Sequence, residues 1–140
     1  MSKSNAHENS ILLLLFNATA FADLAENDTT TPATTLAVSL HTADPGEAGT
    51  MATSEATYTG YARVAVARTS GGWTVTADSV SPVANISFPQ ATGGTNTITH
   101  FGVGTGVANS LLYSGTVTPN IVVTSGVTPI LDTTSTITED

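Results

Sequence analysis

Residues 61–77 read YARVAVARTSGGWTVTA, and this stretch decides the fold class. Val64 and Val66 share one face of an extended chain, because side chains alternate between the two faces of a strand. The same period of two resumes at Trp73, after a Ser-Gly-Gly turn at residues 70–72. Two short alternating runs joined by a glycine-rich turn predict neighbouring β-strands.

Working outward, short segments with this period recur from residue 35 to the end of the chain and are separated by turn residues. They predict about eight strands, at residues 36–41, 61–69, 73–77, 84–88, 97–103, 111–117, 121–124 and 135–138. Double sheets of this kind manage their edges through Greek-key connections. We therefore expect an all-β, jelly-roll-like antiparallel β-sandwich at residues 35–140, preceded by an N-terminal helical segment and linker at residues 1–34.

The N-terminal segment contains the apolar run Ile-Leu-Leu-Leu-Leu-Phe at residues 11–16. We interpret it as a helix from about residue 10 to residue 26, N-capped by Asn9 or Ser10, rather than as a secretory signal, because Glu8 precedes the run. Six residues recur at three- and four-residue spacing and form an apolar stripe: Ile11, Leu14, Leu15, Ala18, Phe21 and Ala22. Two interpretations remain open, a core helix and a helix that also docks on another subunit.

The composition excludes several classes of function. The chain has 140 residues, the size of one domain, with 11 acidic against 3 basic residues and a net charge of −8. A phosphate backbone or an anionic membrane would be repelled, so we expect neither nucleic acid nor membrane as a partner. Without cysteine there are no disulfides and no thiolate metal sites. The 27 threonines suit exposed strand faces without adding charge.

Few residues have the spacing of a chemical site. His41, Asp44 and Glu47 could bind a divalent metal or act as acid and base, but a turn followed by a solvated loop explains them better. We expect His100 to be a partly buried, hydrogen-bonded histidine. The G-x-G-x-G run at residues 102–106 leads into another strand, whereas a dinucleotide site requires a helix there. We therefore predict no enzyme, no catalytic residue, no cofactor and no metal.

Arg63 and Arg68 are the only arginines of the chain. Their odd spacing puts them on opposite faces of the predicted strand. One could pair with a carboxylate as a structural anchor, and the other could reach a partner, because arginine is enriched at interface centres. Together with the helix they define the predicted interface residues: Ile11, Leu14, Leu15, Arg63 and Arg68.

Four motifs resemble a family of small virion proteins of tailed bacteriophages, the capsid cement (decoration) proteins, a Bordetella phage's among them. They are LAVSLHTADPG at residues 36–46, GYAR at 60–63, ISFPQA at 86–91 and THFGV at 99–103. The resemblance implies a β-jelly-roll protein on the outer surface of the capsid that stabilises contacts between major capsid protein subunits. It also implies self-association, for which we favour a dimer over a trimer.

Related sequences are also described as tail-fibre proteins, which defines the alternative function. This is a tail-fibre or receptor-binding β-sandwich module that recognises a cell-surface glycan. Sugars stack on aromatic planes, and the candidate platforms are Trp73, Tyr58, Tyr61 and Tyr113. Trp73 is explained more simply as a core residue.

Overall fold

One helix and nine strands make up the secondary structure of the described residues. The computed structural model describes residues 5–20, 32–105 and 109–139. The helix α1 spans Asn5–Asn17. The strands are β1 (Thr35–His41), β2 (Val64–Ala67), β3 (Trp73–Thr76), β4 (Ser79–Pro82), β5 (Ile86–Ser87), β6 (Asn96–Gly104), β7 (Leu111–Val123), β8 (Ile130–Leu131) and β9 (Ile137–Thr138).

The strands form three sheets. The four-stranded sheet has the order β2-β1-β6-β7, the three-stranded sheet has the order β3-β4-β9, and β5 pairs with β8. The pairs β1/β6, β6/β7, β3/β4, β4/β9 and β5/β8 are all antiparallel. The predicted all-β, antiparallel, sandwich-like fold with a short N-terminal helix is confirmed, with nine strands in the described residues where the sequence predicts about eight.

The chain forms two compact units, and the first is built around α1. Unit 1 comprises Met1–Thr35, Val66–Asn85 and Asp132–Asp140. Its core is centred on Trp73, whose ring lies edge-on to the ring of Phe16 with the centroids 5.0 Å apart. The buried apolar side chains of unit 1 are Leu12, Phe16, Trp73, Val80 and Ile137.

Unit 2 comprises Leu36–Ala65 and Ile86–Leu131 and contains most of the four-stranded sheet. Phe88, directly after β5, stacks on Tyr61 with a centroid distance of 6.4 Å. The Leu40 amide of β1 in turn donates a hydrogen bond of 3.1 Å to the Tyr61 hydroxyl. This stacking connects the β5–β8 pair to the larger sheet. The largest buried side chains of unit 2 include Leu36, Leu40, Met51, Phe88 and Ile98. The sequence analysis divides the chain differently, into a segment at residues 1–34 and a domain at residues 35–140. That division stays a prediction.

The helix exists where the sequence predicts one, but its bounds and its buried stripe differ. It begins at Asn5, so the expected N-caps Asn9 and Ser10 lie inside it. Asn9 instead donates to the Ala77 carbonyl at 2.8 Å, and Ser10 donates to the Ala6 carbonyl at 2.9 Å. It ends at Asn17, since Ala18 takes a left-handed conformation with φ 53°. Among the described residues, this helix is too short to cross a lipid bilayer.

The buried positions of α1 are Glu8, Leu12 and Phe16, four residues apart, whereas the predicted stripe residues 11, 14 and 15 are half-buried. This face is buried because it packs on the core of unit 1. The sequence does not identify it, because the consecutive residues 11–16 are all apolar and every face of the helix looks alike. Phe21 and Ala22, the polar linker that follows them, and Gly106 lie outside the described residues.

Two strands of the structure are missing from the sequence prediction. β4 follows β3 through a two-residue turn in which Ala77 has φ 54°. Turns of this kind are normally recognised by glycine or asparagine, so an Ala-Asp pair carries no signal. β8 has two residues, too few for a period of two to show.

Two predicted strands are one in the structure. β7 runs through residues 117–120 as a bulge, because Thr116 pairs with His100 and Ile121 pairs with Ile98. Pro119 lies in this bulge, where the missing amide costs no ladder bond.

Candidate functional site

A buried hydrogen-bonded pair lies at the end of β1. The Nδ1 atom of His41 is 2.8 Å from the Thr53 carbonyl, and its Nε2 atom is 2.8 Å from the Ser39 hydroxyl. A carbonyl only accepts, so Nδ1 carries the proton, and Ser39 donates to Nε2 of the neutral ring. Serine donating to a histidine is the arrangement that activates a nucleophile.

Both side chains of this pair are inaccessible to a substrate. Ser39 and His41 are both 0% exposed, so no substrate can reach the hydroxyl. Burial lowers the pKa of His41, more than the Thr53 carbonyl and the Glu55 charge raise it. The pair instead ties β1 to the following loop and satisfies polar groups that would be costly if left unpaired.

The structure does not assemble the metal or acid–base group considered from the sequence. His41 points into the core, while Asp44 and Glu47 are exposed. Asp44 accepts a hydrogen bond of 2.9 Å from the Gly46 amide, which confirms the predicted turn. No group of three metal-ligating side chains occurs in the described part of the chain.

A charged cluster of Glu55, Tyr61 and Arg63 lies beside the histidine. Arg63 donates from Nε and Nη2 to the two oxygens of Glu55 at 2.7 and 2.8 Å, and the Tyr61 hydroxyl donates to the same carboxylate at 2.8 Å. Burial raises the pKa of Glu55, but the bonds from Arg63 and Tyr61 lower it by more, so it lies below its usual range. Burial and the Glu55 carboxylate raise the pKa of Tyr61. Of the two roles that the sequence left open for the arginines, Arg63 therefore has that of the structural anchor that pairs with a carboxylate.

Arg68 binds the C-terminal end of the helix. Its Nε donates to the Leu15 carbonyl at 2.5 Å, its Nη2 donates to the Leu14 carbonyl, and its Nη1 donates to the Ala33 carbonyl at 3.3 Å. The last carbonyls of a helix have no partner inside it and carry partial negative charge, so a guanidinium is well placed there. Neither arginine lies within β2, which spans Val64–Ala67, so the prediction that both lie on one strand is wrong.

The structure thus brings together three of the predicted interface residues, Arg68, Leu14 and Leu15. The contact joins the Arg68 guanidinium to the backbone carbonyls of the two leucines rather than to their side chains. Ile11, Leu14 and Leu15 keep half-buried side chains. Arg63 lies in the other compact unit, bonded to Glu55. A contact of these five residues with another subunit stays a prediction.

His100 and the nearby glycines agree with the structural interpretation. His100 is half-buried, and its Nδ1 atom lies 2.9 Å from the Thr99 hydroxyl. Gly102 and Gly104 belong to β6 and are themselves buried. A Cβ at Gly102 would lie 2.7 Å from His41 Nε2 and 2.8 Å from the Ser39 hydroxyl. Glycine is needed there to make room for the buried pair rather than for a phosphate.

Most of the candidate glycan platforms are not available. Trp73 is 2% exposed, as the core interpretation predicts, and Tyr58 is 3% exposed and donates to the Pro89 carbonyl at 3.0 Å. Tyr61 is occupied by Glu55 through its hydroxyl and by Phe88 through its ring. Tyr113 is half-buried in β7. Trp73 and Tyr58 are therefore too buried to be sugar-stacking platforms, and a role of Tyr61 and Tyr113 in glycan binding stays a prediction.

A groove that the sequence analysis missed lies between the loop after β1 and the start of β7. It has a volume of about 370 Å³ and is lined by Asp44, Gly46, Glu47, Gly49 and the four residues 111–114. More than sixty residues separate its two walls in the sequence. No local pattern could have brought them together, because only the sheet order places them side by side.

The comparison with known proteins gives a family match that covers nearly the whole chain. The sequence matches the family model of the podophage GP4 fiber I protein gp80 over residues 2–138. No curated protein matches it. The family match agrees with the phage structural protein implied by the four motifs, and it does not confirm the Bordetella cement protein in particular.

Proposed function

Since this chain belongs to the family of the podophage GP4 fiber I protein gp80, a family of phage structural proteins, we propose that it is a component of the phage virion and forms part of a fiber. The observation that carries the proposal is the extent of the match. Residues 2–138 include α1, nearly all of both compact units and the nine strands of the described residues, so the likeness does not rest on one shared module.

The use of the polar side chains supports a structural role. Three sets of polar groups form hydrogen bonds within the chain: Ser39 with His41, Glu55 with Arg63, and Arg68 with the end of α1. Such bonds stabilise the fold. The net charge of −8 disfavours contact with nucleic acid or an anionic membrane. The fiber role that we propose does not include sugar stacking on Trp73, Tyr58 or Tyr61.

Capsid cement is the second candidate, and the four motifs between residues 36 and 103 favour it. A small protein that binds only the assembled shell stabilises it in proportion to its affinity for that state. In this version the partner is the major capsid protein, a dimer bridges neighbouring subunits on the outer surface, and the interface contains Ile11, Leu14, Leu15, Arg63 and Arg68.

The copy number per virion separates the two candidates. Quantitative mass spectrometry of purified particles gives the ratio of this chain to the major shell protein. We expect a small number of copies, because fibers occupy few positions on a particle. A ratio near one, or a simple fraction of it, would identify a lattice-wide cement protein instead. Absence from purified particles would contradict both candidates.

A further inference from the structure

A loop folds over one face of the sheet at the end of β1. It comprises residues 43–53, and the chain then returns along β1, where the Ala56 amide donates to the Leu40 carbonyl at 2.8 Å. Met51 anchors the loop, because its side chain is 0% exposed and its amide donates to the Asn109 carbonyl at 3.0 Å. We call residues 43–53 the cover.

The cover lies against β6 at a position occupied by glycine. A Cβ at Gly104 would collide with the Met51 sulfur atom, and a Cβ at Gly102 would lie 2.7 Å from His41 Nε2. Residues two apart in a strand point to the same face, so Met51 and His41 lie on the same face of β6. The ring of His41 is also bonded to the cover itself, through the Thr53 carbonyl at 2.8 Å. The burial of His41 therefore depends on a closed cover.

His41 faces a second histidine across the sheet. His100 of β6 pairs with His41 of β1, and opposed residues of an antiparallel pair have their Cβ atoms about 5 Å apart on the same face. In the described part of the chain, the other charges acting on His41 are those of Glu55 and Arg63. Glu55 is already paired with Arg63 at 2.7 Å and accepts a bond from the Tyr61 hydroxyl. Two protonated histidines would therefore repel each other beside a carboxylate that is already neutralised.

The cover decides whether a proton on His41 is costly. In the closed form, burial and the positive charges of Arg63 and His100 disfavour the protonated ring, against the Thr53 carbonyl and Glu55, which favour it. In the open form, water solvates the ring, and it takes up a proton as an ordinary histidine does, near pH 6.5. The open form thus binds the proton more readily, so acid shifts the equilibrium toward it.

We propose that the cover is a pH-sensitive element that opens in mild acid, when His41 and His100 both become protonated. Opening exposes the Met51 side chain and the glycine face of β6, an apolar surface that is hidden at neutral pH. Asp44 and Glu47, the carboxylates of the cover, are exposed in the closed form already, so opening does not require a change in their solvation. The inference does not depend on whether the protein belongs to a fiber or to the shell.

Hydrogen exchange of the Met51 amide, followed by NMR on the full chain, tests the proposal, because this amide bonds across to Asn109. After correction for the intrinsic exchange rate, we expect its protection to be about tenfold lower at pH 5 than at pH 8, within the tenfold per pH unit that one proton allows. Low concentrations of urea should scarcely change it, because opening a loop exposes little surface. The Phe101 amide of β6 should respond to urea, since its exchange requires the sheet to unfold.

Three matched variants assign the effect to a histidine. His41→Gln keeps a donor for the Thr53 carbonyl but cannot take up a proton, so it should remove the pH dependence at Met51. His100→Gln should reduce that dependence, because one of the two like charges is lost. His7→Gln changes the histidine of the other compact unit and should leave the dependence as it is.

Three results would overturn the proposal. They are equal protection of the Met51 amide at both pH values, an equal effect of urea on the Met51 and Phe101 amides, and the full pH dependence in His41→Gln. The first two are measured on the unmodified protein, so they decide the matter even if His41→Gln does not fold.

Discussion

Among single residues, His41 has the least ordinary environment. Its ring is 0% exposed, it donates to a carbonyl and it accepts from a hydroxyl. A protonated ring would have to donate through Nε2 as well, and the Ser39 hydroxyl would then donate to the Gly102 carbonyl, 3.4 Å away. Burial favours the neutral form in the folded state.

The stability of the protein should therefore fall as the pH drops below about 6.5. Burial holds the folded-state pKa of His41 below the ordinary histidine value of about 6.5, so the unfolded chain takes up a proton where the folded chain does not. Stability then decreases with falling pH, by at most about 1.4 kcal/mol per pH unit for one group. Urea denaturation at several pH values measures the slope, and an NMR titration of the His41 ring measures the pKa.

The matched variants for this test are His41→Gln and His100→Gln. The first should flatten the pH dependence, and the second should leave most of it. An NMR pKa for His41 at or above 6.5 would contradict the prediction even if His41→Gln does not fold.

Gly102 should be intolerant of a side chain. Its Cβ would lie 2.7 Å from His41 Nε2, inside the buried pair, so Gly102→Ala forces His41 or the β6 backbone to move. We expect a loss of about 1–3 kcal/mol of stability, the usual cost of overpacking. Thermal unfolding measures it. Gly71→Ala is the control, because the nearest atom to its Cβ is 3.5 Å away; a similar loss there would contradict the steric explanation.

At the scale of elements, α1 is held at its C-terminal end by a side chain from a distant part of the chain. Arg68 supplies donors to the carbonyls of Leu14 and Leu15, and its own amide donates to the Thr34 carbonyl at 2.9 Å. The apolar sequence of the helix explains why it forms. Its end at Asn17 depends on the left-handed Ala18 and on this guanidinium.

Removing the guanidinium should loosen the helix. Arg68→Met keeps the length of the side chain but leaves the Leu14 and Leu15 carbonyls without these donors, at a cost of about 1–3 kcal/mol. Hydrogen exchange measured by mass spectrometry should become faster in α1. Arg63→Met is the control, since it breaks the Glu55 pair and should not speed exchange in α1. Unchanged exchange in Arg68→Met would show that the cap has no stabilising role.

At the scale of the whole molecule, the chain forms two compact units, and the helix belongs to the core of one of them. Phe16 and Leu12 are buried in the same unit as Trp73. The prediction that residues 35–140 form a domain apart from residues 1–34 can be tested through this core, because Trp73 is the single tryptophan of the chain.

Deleting residues 1–34 should expose Trp73. We expect its fluorescence emission to shift to longer wavelength and the stability to fall by at least the roughly 3–5 kcal/mol typical of Phe→Ala in a core. Phe16→Ala in the full chain is the matched variant and should shift the emission in the same direction. Unchanged emission and stability in the shortened chain would support residues 35–140 as an independent domain.

The sequence by itself determined the class of fold. The period of two around Val64, Val66 and Trp73 is a local property, and so is the turn at Asp44, because both depend on neighbouring residues alone. The motifs between residues 36 and 103 were sufficient to indicate a phage structural protein.

Only the tertiary structure decided how the polar residues are used. Arg63 pairs with Glu55 and Arg68 with the end of α1, and the sequence could not distinguish these roles because two arginines of one segment look alike until the chain folds. The groove and the edge position of β7 likewise depend on the sheet order. Strand order results from contacts between residues far apart in the chain, and such contacts leave no periodic trace in a single sequence.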